Sequence, residues 1–114
     1  MPSSKVAILM ATHNGADYLL EQLSSISSQI GVQCTIFFSD DNSTDKTVEI
    51  LENFHCINMN TNKLSFGSAA ANFIHLISTF DEYQNFDYVM LSDQDDIWLP
   101  NKIFQAIQKM SEVN

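Results

Sequence analysis

The sequence predicts a three-layer α/β domain built on a mostly parallel sheet, and three observations lead there. Short apolar runs alternate with segments whose apolar residues fall at helical spacing, giving the order β-α-β-α-β-α-β-α. Such alternation implies βαβ units with right-handed crossovers. The first run is apolar at every position, as in a strand covered on both faces. Polar and acidic clusters follow the first, second and fourth runs, so they gather on the carboxyl edge of one sheet, where open α/β folds bind ligands.

The first strand covers 6–11 and stops at Thr12-His13-Asn14-Gly15. Residues 16–29 then form a helix with Leu19, Leu20, Leu23 and Ile26 on its apolar side, ended by Gly31. A second strand covers 34–38 and stops at Ser39-Asp40-Asp41-Asn42-Ser43; Ser43 or Thr44 caps a helix carrying Val48, Ile50, Leu51 and Phe54. A weaker strand at 56–59 and a polar stretch at 60–65 precede Gly67, which opens a helix with Ala70, Phe73, Ile74 and Ile77 inward. The fourth strand, 88–91, runs into Ser92-Asp93-Gln94-Asp95-Asp96, and Pro100 starts a last helix with Ile103, Ile107 and Met110 inward. The expected strand order is 3-2-1-4. Neither a repeat nor a linker divides the chain, so 1–114 reads as a single domain.

With 45% hydrophobic residues the chain can bury a core. Lys and Arg total 5 against 14 Asp and Glu, a net charge of −9, which argues against nucleic acid as a partner and disfavours direct binding of this domain to an anionic membrane surface. Such a surplus serves solubility or places carboxylates around a divalent cation. Cys34 and Cys56 sit in apolar runs without zinc-ligand spacing and read as small buried thiols in a reducing compartment. The first residues resemble neither a signal peptide nor a membrane span, which points to the cytoplasm.

Residue types decide what the clusters can do. In extended backbone Asp93 and Asp95 point to the same side. Two carboxylates aimed at one point repel unless a cation stands between them, and Mg²⁺ or Mn²⁺ shares such ligands with substrate phosphates; a solvated acidic turn is the plainer reading. Asp40 or Asp41, just beyond a strand end, can accept from a base N–H or a ribose hydroxyl. Thr12-His13-Asn14-Gly15 lacks both the dinucleotide glycines and the P-loop pattern, although a helix N-terminus here can offer N–H groups to a ligand. His13 reads as ring packing, His55 and His75 as structural, and Trp98 as an apolar anchor for its loop.

In this order and spacing the clusters resemble family 2 glycosyltransferases of the GT-A fold. The matching stretches are 6–15 (VAILMATHNG), 38–47 (FSDDNSTDKT) and 91–100 (LSDQDDIWLP), with Phe66-Gly67-Ser68 and Asn72 between them. The form Asp93-Gln94-Asp95-Asp96-Ile97-Trp98 is similar to bacterial enzymes that build rhamnose-containing or other surface polysaccharides. The resemblance implies the Rossmann-like nucleotide-binding half of that fold. Its nucleotide site would comprise Thr12, Asn14, Asp40, Asp41, Gly67, Asn72 and Asp93. Asp41 would meet the pyrimidine edge with Asp40 beside it, and Asp93 would face the ribose or the metal. Asp95 would be the main ligand of Mn²⁺ or Mg²⁺ on the donor diphosphate. The donor would be a UDP- or dTDP-sugar, the acceptor a glycan or lipid-linked glycan, and the reaction inverting. Many relatives have Pro-Thr-Tyr-Asn where this chain has Ala11-Thr12-His13-Asn14.

In the family the general base and the acceptor site come from a later segment, so no residue here takes the base's role. The expectation is a truncated domain, with apolar surface left open that favours a homo-oligomer. The complete protein could also sit at the inner face of the membrane. The rival readings are a receiver-like regulatory domain and a non-catalytic interaction module.

Overall fold

The first apolar run becomes the central strand. In a computed structural model, which describes residues 4–93 and 97–113, β1 (Ser4–Thr12) pairs in parallel with β2 (Val32–Asp40) on one side and β4 (Tyr88–Asp93) on the other. β3 (Ile57–Asn58) adds to the far side of β2, and the order is β3-β2-β1-β4. This is the order and the parallel sense that the sequence predicts.

Alternate residues of β1 feed two separate cores. Val6, Ile8 and Met10 pack with Leu19, Leu23 and Ile26 of α1 (Ala16–Ser27), Leu51 of α2 (Thr47–Asn53), Trp98, and Ile103 of α4 (Lys102–Val113). Ala7, Leu9 and Ala11 face the other way, onto Phe37, Phe80, and Leu76 of α3 (Ala69–Thr79). The topology explains why α3 lies alone on its face. The chain steps outward from β1 to β2 to β3, then returns across the sheet to β4. A right-handed crossover in the reversed direction puts its helix on the opposite side. The switch in direction falls between β1 and β4, which marks the crevice at their carboxyl ends.

Several boundaries differ from expectation, each for a local reason. α1 ends at Ser27, where Ser28 N–H returns to Ser24 O at 3.1 Å. Gly31, with φ +78°, instead turns the chain into β2, and a Cβ there would stand 3.3 Å from the Phe104 ring. On α1 the buried stripe is Leu19, Gln22, Leu23 and Ile26, while Leu20 is 56% exposed. On α3 it is Asn72 and Leu76 that face the sheet; Phe73 is half-buried, Ala70 and Ile77 are exposed, and Ile74 is 66% exposed. β3 shrinks to two residues, paired with Phe37 and Phe38. α4 starts at Lys102 rather than Pro100, burying Ile103 and half-burying Ile107 but leaving Met110 exposed. Trp98 is 4% exposed within the first core, and the Lys102 ammonium lies 4.5 Å from its ring centre. It anchors its loop as expected. Among the described residues no helix is long and apolar enough to cross a membrane.

Both cysteines are free and half-buried, and burial pushes each thiol up to about 11. At pH 8 only roughly a thousandth of each is thiolate, the reactive form. A disulfide reagent at pH 8 is therefore expected to label the native chain far more slowly than the chain in denaturant, where two thiols react promptly. Equal rates in both states would contradict the buried placement.

Candidate functional site at the carboxyl edge of the sheet

The two loops that follow β1 and β2 are laced together by side chains. Thr12 Oγ1 donates to Asp40 Oδ1 at 2.8 Å, and Asp40 also accepts from the Ser43 N–H at 2.8 Å and the Ser43 hydroxyl at 2.5 Å. Asn14, in the left-handed region at φ +48°, accepts from Thr44 N–H at 2.7 Å, while its own N–H donates to Ser43 Oγ at 2.8 Å. Ser43 and Thr44 thus serve Asn14 and do not cap α2. The cap is Asp45. Its Oδ1 accepts from the Thr47 N–H at 3.0 Å and hydroxyl at 2.6 Å, and its Oδ2 from Ala16 N–H at 3.1 Å. One carboxylate therefore closes the first turns of both α1 and α2, where orphan N–H groups and the helix dipoles favour an anion. Gly15 N–H is likewise taken, by Thr47 Oγ1 at 2.9 Å. At the start of α1, expected to offer donors to a ligand, the Gly15 and Ala16 N–H groups are thus already engaged.

Asp41 organises a second connection. Its Oδ1 accepts from Phe66 N–H at 2.9 Å and its Oδ2 from Gly67 N–H at 3.0 Å. The same strap, residues 60–67, is folded by Asn60, whose amide donates to Asp40 O at 2.9 Å and Leu64 O at 3.0 Å. Asn42 donates to Ser65 Oγ from its own left-handed position at φ +50°. Gly67 has φ +78°, a conformation that favours glycine, and a Cβ there would meet open space. Ser68 then caps α3, accepting from Ala71 N–H at 3.1 Å.

These segments enclose a cavity of about 520 Å³ walled by Thr12, His13, Asp41, Gly67, Asn72 and Asp93, among others. Of the residues expected at a nucleotide, Asn14 and Asp40 stand behind this wall and hold it in place; the other five line it. His13 departs from the packing expected of it: it is exposed on the cavity wall. Its Nδ1 lies 2.5 Å from Asp41 O. A carbonyl only accepts, so the proton belongs on Nδ1. Asn72 is 1% exposed; its amide nitrogen donates to Ser39 O at 2.8 Å, and its Oδ1 has no partner among the described residues. The described lining carries the carboxylates of Asp41 and Asp93 and no lysine. Gln94, Asp95 and Asp96 lie outside the described residues, and with them the expected metal pair of Asp93 and Asp95. Among the described residues no group of three His, Cys, Asp or Glu side chains converges.

Sequence reasoning overlooked the polar face of α1. Gln22, wholly buried, donates to Ser92 Oγ at 3.1 Å and to Asp93 O, fixing the end of β4. Ser25 Oγ accepts from Trp98 N–H at 3.0 Å. Gln29 donates to Leu99 O at 2.7 Å and accepts from Ile103 N–H at 3.0 Å. Two polar residues of α1, with Gln29 just beyond its end, thereby grip the chain on both sides of residues 94–96. The available signal was a glutamine inside an apolar stripe.

The sequence profile described as "Glycosyl transferase family 2" matches residues 7–114. A dTDP-rhamnosyl transferase, RfbG, from Shigella flexneri is 47% identical over 103 residues, 86% of this chain and 35% of that protein. From Escherichia coli, WfgD, a UDP-Glc:alpha-D-GlcNAc-diphosphoundecaprenol beta-1,3-glucosyltransferase, is 29% identical over 111 residues, 96% of this chain and 42% of that protein. The chain thus spans well under half the length of these relatives. The fold recurs in S. aureus TarS 1-349 in complex with UDP, at a TM-score of 0.72 and 20% identity over 95% of this chain and 32% of that one. It recurs too in the mannosyltransferase PcManGT from Pyrobaculum calidifontis in complex with GDP-Man and Mn²⁺, at a TM-score of 0.73 and 16% identity over 94% of this chain and 32% of that one.

Hydrogen bonds from the Thr47 hydroxyl, and from the N–H groups of Thr47 and Ala16, hold Asp45 below its ordinary value of 3.8. A depressed folded-state value means that its contribution is fully present above about pH 3.8 and is lost as pH falls through the lower, folded value. Asp45→Asn is expected to flatten the acid limb of a stability-against-pH curve below pH 3.8, read by denaturant titration. An unchanged limb would mean that other carboxylates govern acid unfolding. Gln22→Leu leaves Asp93 O and Ser92 Oγ without that donor. It is expected to lower unfolding free energy by about 1–3 kcal/mol, the cost of unsatisfied buried groups; no loss would show the grip to be dispensable.

Proposed function

This chain belongs to glycosyl transferase family 2, and we propose that it forms the donor-binding part of an enzyme transferring a sugar from a UDP- or dTDP-sugar to a surface-polysaccharide acceptor with inversion. The observation that carries this reading is the cavity between the ends of β1, β2 and β4, with Asp41 on its wall. Each Asp41 oxygen holds one backbone N–H and keeps capacity for a second bond. A pyrimidine imide N–H supplies the donor that this acceptor lacks. Thr12, Gly67 and Asn72 wall the nucleoside, while Asn14 and Asp40 act through the loops they fix. His13 joins the wall as a residue the motif reading had set aside.

The cavity is suited to a cation at its mouth. A diphosphate brought against Asp41 and Asp93 meets negative charge on a described lining that has no lysine to offset it. Asp93 with Asp95 would hold Mn²⁺ or Mg²⁺, which as a Lewis acid offsets charge on the departing nucleoside diphosphate. Hard oxygen ligands are what these ions take. The protein's own share is to bind and orient the donor: Gln22 sets the height of Asp93, and Asp41 sets the base. The general base is assigned outside residues 1–114, together with the acceptor site for a glycan or lipid-linked glycan. Homo-oligomerisation and association with the inner membrane face belong to this proposal too. Family membership retires the receiver-like alternative.

Calorimetric titration with UDP and dTDP, with and without Mn²⁺, tests the reading. Binding is expected to tighten tenfold or more with metal. Asp95→Ala should abolish that metal dependence, and Asp41→Ala should weaken binding by about 10- to 100-fold, the range for a hydrogen bond to a charged group. No binding of either nucleotide under either condition would sink the proposal.

A further inference from the structure

The strap that brings Phe66 and Gly67 to Asp41 is mostly polar and open to solvent. Residues 61–65 are exposed, and Leu64 among them is 48% exposed. A segment with few buried apolar contacts opens at low free-energy cost. The strap's one aromatic side chain is the exception. Ser65, Gly67 and Ser68 line the cavity, whereas Phe66 between them is half-buried and turns to α3, its ring centre 4.8 Å from that of His75 at a tilt of 39°. The Phe66 and Gly67 N–H groups, which meet the Asp41 oxygens at 2.9 and 3.0 Å, flank the Phe66 α-carbon. Whatever holds this ring therefore holds both donors.

His75, an ordinary structural position by its sequence, is placed to hold both ends of the strap. It follows Asn72 by three positions and precedes Leu76 by one, so it sits beside the two residues with which α3 faces the sheet. Asn72 donates to Ser39 O at 2.8 Å and Leu76 is wholly buried, which fixes this flank of the helix. His75 Nε2 lies 3.4 Å from the carbonyl oxygen of Met59, the residue before the strap. A carbonyl only accepts, so the proton belongs on Nε2. Met59 is itself tied to β2, its N–H donating to Phe38 O at 2.7 Å. One side chain on a fixed helix thus meets the chain just before the strap and the ring at its far end. The contact to Met59 is long for a hydrogen bond, which leaves the ring stack as the stronger of the two.

Resting on the donor-binding reading above, we propose that His75 is a positioning residue for the base end of the donor: by stacking on Phe66 it holds the two N–H groups that orient the Asp41 carboxylate. The stack then sets the fraction of molecules in which that acceptor is in place. A ligand that needs the closed strap binds in proportion to that fraction, and an aromatic pair is strong enough to shift it several-fold.

Hydrogen exchange on the ligand-free chain and titration with UDP in the presence of Mn²⁺ test this together. His75→Ala is expected to speed exchange of the Phe66 and Gly67 amides about 3- to 10-fold and to weaken UDP binding by a similar factor, the worth of one aromatic pair. The amides of β1 should keep their wild-type protection. His75→Phe puts a ring back and is expected to return both readings to near the wild-type values, a rescue that general damage to the helix would not allow. Phe66→Leu keeps apolar bulk on the strap but removes its ring; it should repeat the His75→Ala result, and it stands in for that variant if His75→Ala does not fold. Unchanged exchange at 66 and 67 in the ring-deleting variants would overturn the stack as the strap's latch. Faster exchange with unchanged UDP affinity would overturn its role at the base. Absence of UDP binding to the wild type would remove the donor-site reading and this role with it, while the exchange rates would still decide whether the stack holds the strap.

Discussion

The register of β1 against its two parallel neighbours governs what happens at the carboxyl edge. With Val6, Ile8 and Met10 committed to one core and Ala7, Leu9 and Ala11 to the other, a slip of one residue would exchange the contents of both layers. A slip of two would keep the layers but part Thr12 from Asp40, whose hydroxyl–carboxylate bond is 2.8 Å long. Asp41 N–H bonds Thr12 O at 2.9 Å, carrying the β1–β2 connection one residue past the strand end. From that fixed point Asp41 faces the strap at 66 and 67, Asp40 faces back into the loop, and Ala11 falls between Ser39 and Asp93.

Beyond the strands, the edge holds its shape through hydrogen bonds from side chains to backbone. Two helices starting beside one another leave two sets of orphan N–H groups. Asp45 serves both sets at once, and Asn14 ties the same two loops at a left-handed backbone position. Left-handed backbone at a residue other than glycine costs of order 1 kcal/mol or more. Asn14 recovers this through Thr44 and Ser43, so its conformation and its contacts depend on each other. The cavity wall is thus rigid at β1 and β2, and the strap is attached to it through Asp41, Asn60 and the Asn42–Ser65 contact.

These facts also explain what the sequence disclosed and what it withheld. Strand order and the edge carrying the polar clusters were legible because apolar runs and helical spacing are local signals. So was the burial of Trp98. The capping of α2 was misassigned because Ser43, Thr44 and Asp45 stand side by side ahead of it, and which of them reaches the helix start depends on α1, some thirty residues upstream. The roles of Gln22, Ser25 and Gln29 were overlooked for a related reason. Their partners lie 70 or more residues away, and a buried amide bonded to a distant carbonyl leaves no periodic trace. The inward stripe of α3 was misread through its isoleucines: helical spacing fits Ile74 and Ile77 as well as Leu76, and only the placement of α3 over β1 and β2 decides between them.

Charge decides how such an edge could hold a diphosphate. Dinucleotide and P-loop folds present an open helix N-terminus to phosphate. Here the start of α1 has given its Ala16 N–H to Asp45 and its Gly15 N–H to Thr47, so those two donors are already engaged within the protein. The chain carries a net charge of −9, and two carboxylates with no lysine face the cavity among its described lining. Neither the start of α1 nor a basic side chain on that lining supplies a charge to offset two phosphates. The sequence places three carboxylates, Asp93, Asp95 and Asp96, at and just after a strand end pinned by Gln22. An anionic ligand and an anionic wall coexist only with a cation between them, so the same acidity that repels a bare diphosphate gives the proposed site its dependence on a metal.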